Sequence, residues 1–86
     1  MLFKQQILKG INEGRVTLAF RRWKRPSVKA GGSLLIGGGV LSIQSVDEID
    51  ESAITEADAQ RAGAASRGAL QSELNRRDGR LYRIAF

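Results

Sequence analysis

Residues 14–26 read GRVTLAFRRWKRP, and this stretch decides both the fold and the functional hypotheses. Apolar side chains alternate through its first half, as in a β-strand, where successive side chains point to opposite faces. One face carries Val16, Leu18 and Phe20, and the other carries Thr17, Ala19, Arg21 and Trp23. We expect the first face to lie in the core. The second face, with its arginine and tryptophan, is either packed under another element or a binding surface.

The chain of 86 residues predicts a single domain, residues 1–86, and it contains neither cysteine nor histidine. Disulfides, thiolate chemistry, imidazole general bases and the usual zinc sites are therefore excluded. No apolar run approaches the roughly 20 residues of a membrane-spanning helix, and the N-terminus has no signal-peptide pattern. We expect a cytoplasmic protein that has no cofactor, metal or membrane partner. The oligomeric state stays open.

Charge is segregated along the chain, whose net charge is +5. Residues 1–31 carry eight cationic side chains against the single Glu13, whereas residues 47–58 carry six carboxylates and no cation. Residues 59–86 are basic again, with six arginines. A basic face attracts polyanions through phosphate contacts and released counterions. The cations either solvate a small surface or form a nucleic-acid interface, and helix capping and solvation explain the acidic block better than a metal site does.

Local patterns predict three helices and four strands. The apolar spacing predicts a helix over residues 3–12, which Gly14 ends in a left-handed conformation. Thr55 and Ser66 are the expected N-caps of helices over residues 55–62 and 67–76. Strands are predicted over residues 16–22, 33–37, 40–46 and 80–86, with turns at residues 37–39 and 78–79.

These elements predict an α+β fold in which the four strands form one sheet or a small, partly open β-barrel flanked by short helices. The core is expected to bring together Val16, Leu18, Phe20, Ile43, Ile84 and Phe86. Tyr82 shares a strand face with Ile84 and is expected to lie in the core with a wet hydroxyl.

Several segments resemble the ASCH domain of the PUA-like superfamily. Residues 11–17 (INEGRVT) are similar to the helix end and opening strand of that domain, residues 28–32 (VKAGG) to the turn before its second strand, and residues 81–86 (LYRIAF) to its closing strand. Residues 21–26 (RRWKRP) resemble a subgroup of small bacterial members that lack an assigned activity. The resemblance implies a PUA-like barrel with a cleft beside the first strand, and RNA or a modified nucleoside as the partner.

Some ASCH proteins are amidohydrolases that act on acetylated cytidine, and this sequence departs from them at the catalytic positions. Val16 stands where those enzymes have a lysine, and Ala19 stands where they have a second threonine. Neither side chain can donate, accept or attack. Glu56 and Glu73 lie in the helical region from which the distant glutamate of the family would come, and neither is assigned to that position. We expect no catalytic residue and no acetylcytidine hydrolysis above background, although enzymatic activity stays open.

Two functional hypotheses follow. The first is a module that binds RNA or another nucleic acid through a basic, tryptophan-containing strand edge, with the candidate residues Arg15, Thr17, Arg21, Arg22, Trp23, Lys24 and Arg25. In it the cations hold phosphates while Trp23 stacks on a base. Alternatively, Trp23 covers the open end of the barrel, with arginine stems on its ring. The second hypothesis is a hydrolase acting on a modified nucleoside or on RNA.

Overall fold

The computed structural model describes residues 3–36 and 39–86, which form a small α+β structure of two antiparallel sheets and three α-helices. The elements in chain order are α1 (Gln5–Asn12), β1 (Leu18–Trp23), β2 (Ser33–Ile36), β3 (Gly39–Ser42), β4 (Ser45–Glu48), a 3₁₀ turn (Glu51–Ala53), α2 (Glu56–Arg61), α3 (Arg67–Leu74) and β5 (Arg80–Ala85). The predicted α+β class is therefore confirmed. None of the helices in this part of the chain is long and apolar enough to cross a membrane.

The helix ends follow from the local chemistry that predicted them. Gly14 follows α1 with a φ of 78°, in the left-handed region. At α2 the hydroxyl of Thr55 accepts from the Asp58 N–H at 3.0 Å, while the Asp58 carboxylate accepts from the Thr55 N–H at 3.5 Å. The hydroxyl of Ser66 accepts from the Ala69 N–H at 3.0 Å and begins α3. These side chains satisfy backbone N–H groups that have no partner inside the helix.

The strands form two sheets rather than the one sheet or barrel that we expected. In the first sheet β5 lies between β1 and β4, and in the second sheet β2 pairs with β3. The predicted strand over residues 40–46 is divided because Ile43 and Gln44 bond to different partners. The Ile43 N–H donates to the Gly32 carbonyl at 2.9 Å, whereas the Gln44 N–H donates to the Ala85 carbonyl at 2.8 Å. The chain thus leaves one sheet and enters the other, and the described strands do not close into a barrel.

The β2–β3 hairpin joins Ile36 to Gly39 in register. The rest of the predicted glycine turn, residues 37 and 38, lies outside the described residues.

The three-stranded sheet is covered on both faces, so the predicted single core is in fact two clusters. Leu18 and Phe20 pack under α2 and α3 in a cluster completed by Ile54, Ala59, Leu70, Leu74 and Leu81. Ala19, Ile43, Tyr82 and Ile84 form the second cluster, on the opposite face. Our expectation that Ile43 and Ile84 share a core with Phe20 was wrong, because the register places Ile84 opposite Ala19.

The remaining residues of the expected core differ in their burial. Val16, two residues before β1, is buried. Phe86 is only half-buried and packs against the second cluster, where its ring meets that of Phe3 edge to face at 6.0 Å. Tyr82 is buried, as expected. The face of β1 that carries Ala19 is therefore packed, and the outer edge of β1 is paired with no other strand among the described residues.

We predict that Gly79→Ala destabilises the protein. Gly79 has a φ of 109°, and a Cβ there would lie 2.5 Å from the backbone carbonyl carbon of Trp23. Positive φ alone costs an L-residue about 1–2 kcal/mol, and the backbone overlap adds to it. We therefore expect a loss of at least about 2 kcal/mol in the free energy of unfolding, which would lower Tm by roughly 10 °C in a domain of this size.

The matched control is Gly68→Ala in α3. A Cβ at Gly68 would meet only the Ser66 hydroxyl, at 3.9 Å. Thermal unfolding should show that this variant is as stable as the wild type or slightly more stable, because alanine favours a helix. Equal Tm values for the two variants would contradict the close approach of the Gly79 turn to the backbone of Trp23.

Candidate nucleic-acid interface

The predicted site residues do not form one surface, and the first two lie in the segment between α1 and β1. Arg15 is exposed, and its Nε donates to the Glu13 carboxylate at 2.7 Å. Thr17 is held through its backbone: its N–H donates to the Arg61 carbonyl at 2.9 Å, and its carbonyl accepts from the Phe86 N–H at 3.0 Å. The backbone bonds of Thr17 attach the start of the sheet to α2 and to the end of β5. Neither Arg15 nor Thr17 lies in one surface with the cations of residues 21–25.

Arg21 lies against the outer edge of β1, where its side chain covers part of the backbone. Its Nη1 donates to the Phe20 carbonyl at 2.9 Å, and its guanidinium carbon lies 5.4 Å from the centre of the Phe3 ring. Burial lowers the pKa of Arg21 below its usual value, Glu73 opposes this shift, and Arg77 adds to it. Arg21 is half-buried, and a charge that is partly removed from water interacts more strongly with a nearby opposite charge.

Arg22 is built into the fold. Its Nε donates to the Leu74 carbonyl at 3.1 Å, and its Nη1 donates to the Gly79 carbonyl at 3.3 Å. The first of these carbonyls lies at the C-terminal end of α3, which carries the negative end of the helix dipole. Glu51 adds an ion pair at 3.7 Å, and only 19% of the Arg22 side chain is exposed. Arg22 thus caps α3 and connects that helix to the turn before β5.

Trp23 is half-buried and packs against the second hydrophobic cluster. Its ring centre lies 5.9 Å from that of Tyr82, with the ring planes tilted by 37°. The side chain therefore contributes to the cover over this face of the sheet. Stacking of a base on its exposed part stays a prediction.

Lys24 and Arg25 are exposed, and the β1–β5 pairing brings further cations beside them. Trp23 is opposite Arg80 in the register, so the strand that precedes Lys24 ends where β5 begins. Arg76 and Arg77 follow α3, whose last residue bonds to Arg22. We call the exposed residues Lys24, Arg25, Arg76, Arg77 and Arg80 the basic end of the sheet.

The sequence hypothesis included only the first two residues of this basic end. The signal that could have revealed the rest was the second basic segment, residues 76–83, together with the Asp-Gly turn at its middle. A strand that starts at that turn places its first arginine at one end of the sheet. Local patterns do not show which strand it pairs with, because the pairing joins residues that are far apart in the sequence.

The carboxylates of residues 47–58 are distributed among several partners. Glu48 pairs with Arg80 at 3.2 Å, Asp58 with Arg83 at 3.6 Å, and Glu56 accepts from the Arg67 backbone N–H at 3.2 Å. Within residues 3–36 and 39–86, no group of three carboxylates is placed to hold a metal ion. The acidic block therefore serves the fold and shields part of the arginine charge.

A cleft of about 660 Å³ runs along the outer edge of β1. One wall is the beginning of α1, with Phe3 and Ile7, and the other wall is α3, with Leu70 and Leu74. Residues 62–65 close one end. Lys4, Arg21, Arg22 and Arg77 line the cleft as cations, against the single lining carboxylate of Glu73. The cleft combines apolar walls with a positive charge.

No family model, no curated protein and no solved structure matches this chain. Membership of the ASCH family therefore stays a prediction from the quoted segments.

We predict that Arg22→Met destabilises the protein, because methionine retains much of the apolar stem but removes the donors to Leu74 and Gly79. Loss of hydrogen bonds from a charged group should lower the free energy of unfolding by about 1–3 kcal/mol. Urea unfolding should show a lower midpoint with an unchanged m-value.

Arg25→Met is the matched control, since Arg25 is exposed and follows the same strand. Its free energy of unfolding should stay within about 0.5 kcal/mol of the wild type. If both variants unfold at the wild-type midpoint, Arg22 is not the cap of α3.

Proposed function

We propose that the protein binds RNA or another single-stranded nucleic acid through the basic end of its three-stranded sheet. The observation that carries this proposal is the convergence of two distant basic segments. Residues 24–25 and 76–80 lie far apart in sequence, yet Trp23 and Arg80 are opposite each other in the sheet. The cations of both segments therefore approach a common anion from two sides.

The electrostatics of this surface suit a phosphate backbone. Its five cations are exposed. Three carboxylates accompany them: Asp78 lies between Arg77 and Arg80 in sequence, Glu73 lines the same cleft as Arg77, and Glu48 pairs with Arg80. Glu48 contacts Arg80 at the surface, where an ion pair contributes little free energy and exchanges readily for a phosphate. Neutralised phosphates release counterions, and this release drives binding. Arg21 and the exposed part of Trp23 flank the surface, and stacking of a base on Trp23 belongs to the same proposal.

The PUA-like barrel and the ASCH family also belong to this proposal, supported by the quoted segments and by the cleft beside β1. A cytoplasmic location is a prediction from the cysteine-free composition.

The alternative function, hydrolysis of a modified nucleoside or of RNA, has weaker support. Val16 and Ala19, at the positions of the family's catalytic residues, are only 4% and 3% exposed. Neither has a functional group to take part in the reaction.

The test is the salt dependence of binding to a short single-stranded RNA oligonucleotide. Lys24→Gln and Arg25→Gln should each weaken binding to all sequences alike. Each should also reduce the slope of log K against log salt by about 0.7, the value for one phosphate contact on a single strand. Fluorescence anisotropy of a labelled oligonucleotide at several salt concentrations measures both effects.

Lys9→Gln is the control, because it makes the same change in charge away from the basic end. Lys9 lies in the last turn of α1, near the start of β1 rather than its end. It should leave the slope at the wild-type value. Equal effects of all three substitutions would mean that only net charge matters, and the basic end would then not be the interface. Turnover of acetylcytidine or cleavage of RNA by the wild type would favour the hydrolase instead.

A further inference from the structure

The β2–β3 hairpin differs from the rest of the protein in its charge. Residues 30–46 carry no charged side chain, although 27% of all residues in the chain are charged. Leu35 and Val40 are opposite each other in the register, and they are 82% and 65% exposed. On the other face of the hairpin, Leu41 packs against the second hydrophobic cluster. The hairpin therefore presents an uncharged, partly apolar face to the solvent.

The hydrogen-bonding phase of the hairpin shows which of its backbone groups are directed outwards. The Ile43 N–H donates to the Gly32 carbonyl at 2.9 Å, and hydrogen-bonded pairs recur at every second residue of an antiparallel ladder. The even-numbered residues of β2 therefore bond to β3. The N–H and C=O groups of Ser33 and Leu35 are directed away from β3, and both residues are exposed. No other described strand pairs with this edge, which is a template for a further strand.

The outer edge of β2 is more accessible than that of β3. Residues 29–31, which precede β2, are exposed, whereas β3 is followed at once by the buried Ile43. From there the chain continues through Gln44 into the three-stranded sheet. A two-stranded sheet is only marginally stable in water by itself, so a strand added beside β2 would stabilise the hairpin.

Charge favours a second copy of this chain as the partner of β2. Each copy has a net charge of +5, so two copies repel each other wherever their basic surfaces meet. Antiparallel pairing about a two-fold axis at Leu35 brings together uncharged segments only. It leaves the two Lys29 residues roughly 20 Å apart, which exceeds the screening length of about 8 Å at physiological salt.

The same two-fold pairing also matches the apolar side chains. Within one copy, Val40 lies beside Leu35 on the exposed face of the hairpin. With Leu35 opposite Leu35 of the second copy, the apolar row continues across four strands and ends at the second Val40. Neighbouring side chains in such a row contact each other and lose exposure to water.

We propose that the protein forms a two-fold symmetric dimer in which β2 of one copy pairs antiparallel with β2 of the other, with Leu35 opposite Leu35. The strand order is then β3, β2, β2, β3. The interface uses the same surface of both copies, as a two-fold dimer requires. The proposal does not rest on nucleic-acid binding, because every residue of the basic end lies outside the hairpin.

The first test is sedimentation equilibrium over protein concentrations up to about 1 mM. The mass of the wild type should rise from 9.4 kDa towards twice that value. Leu35→Lys places like charges opposite each other and should weaken dimerisation at least about tenfold. Gln60→Lys, which adds the same charge at an exposed position of α2, should dimerise like the wild type. Because Leu35 is 82% exposed, thermal melts of the dilute protein should show that both variants are folded.

Three results of this test would overturn the proposal. The first is a wild type that stays monomeric at the highest concentration. The second is a Leu35→Lys variant that dimerises as strongly as the wild type. The third is growth beyond a dimer, which would mean that the edge of β3 also pairs.

Hydrogen exchange measured by NMR tests which edge is used. The Leu35 amide should exchange more slowly in the concentrated than in the dilute protein, because it donates to the second copy. The amides of Val40 and Ser42, on the edge of β3, should not change. Protection of Val40 and Ser42 without protection of Leu35 would overturn the proposal. If the protein stays monomeric and vesicles that contain phosphatidylserine broaden the β2 signals, the hairpin faces a membrane and the proposal is wrong.

Discussion

The antiparallel pairing of β1 with β5 is the interaction on which the rest of the structure depends. It joins residues 18–23 to residues 80–85, which lie at opposite ends of the chain. Each strand alternates its side chains between two faces, so a single register determines both hydrophobic clusters. The same register brings the turn at Gly79 against the backbone of Trp23 and thereby places Arg22 within reach of α3. A shift by one residue would exchange the two faces and place the side chains of each cluster against the cover that fits the other.

Because both faces of this sheet are covered, its candidate binding surfaces lie at one end of the sheet and along the edge of β1. The end of the sheet collects exposed cations from two segments of the chain. The edge of β1 borders a cleft in which apolar walls and positive charge occur together. Edge strands of natural proteins are commonly covered or interrupted to prevent unwanted pairing. Here the edge is recessed between α1 and α3, and its residues Leu18 and Phe20 are only 4% and 2% exposed.

The elements governed by local chemistry could be predicted from the sequence. The helix caps at Thr55 and Ser66 and the turns at Gly14 and Gly79 follow from side-chain and backbone preferences of a few neighbouring residues. The order of the strands could not be predicted in this way. Alternation in residues 16–22 distinguishes two faces but does not show that both are covered, and nothing local places β5 in the centre of the sheet. The division of the strand at Ile43 is likewise caused by partners that are distant in sequence.

Prediction of the candidate site from the sequence has the same limit, since it depends on contacts between distant residues. A concentration of positive charge in residues 21–25 was evident, but its side chains have different tasks in the fold. Arg22 caps a helix that lies some fifty residues further along the chain, as its 52-residue separation from Leu74 shows. Trp23 packs on Tyr82, whereas Lys24 and Arg25 remain exposed. Sequence patterns identify which residues can carry charge. The tertiary structure decides which of those charges remain available to a partner.

Native-state hydrogen exchange of the β1 amides, measured by NMR on the free protein, tests the central claim that β5 is the strand that pairs with β1 among the described residues. The account predicts alternation along the strand. The amides of Ala19, Arg21 and Trp23 should be strongly protected because they bond to β5. Those of Leu18, Phe20 and Arg22 should exchange at least about a hundredfold faster, through local fluctuations that leave the sheet intact. Uniform strong protection across residues 18–23, or protection in the opposite phase, would contradict the account.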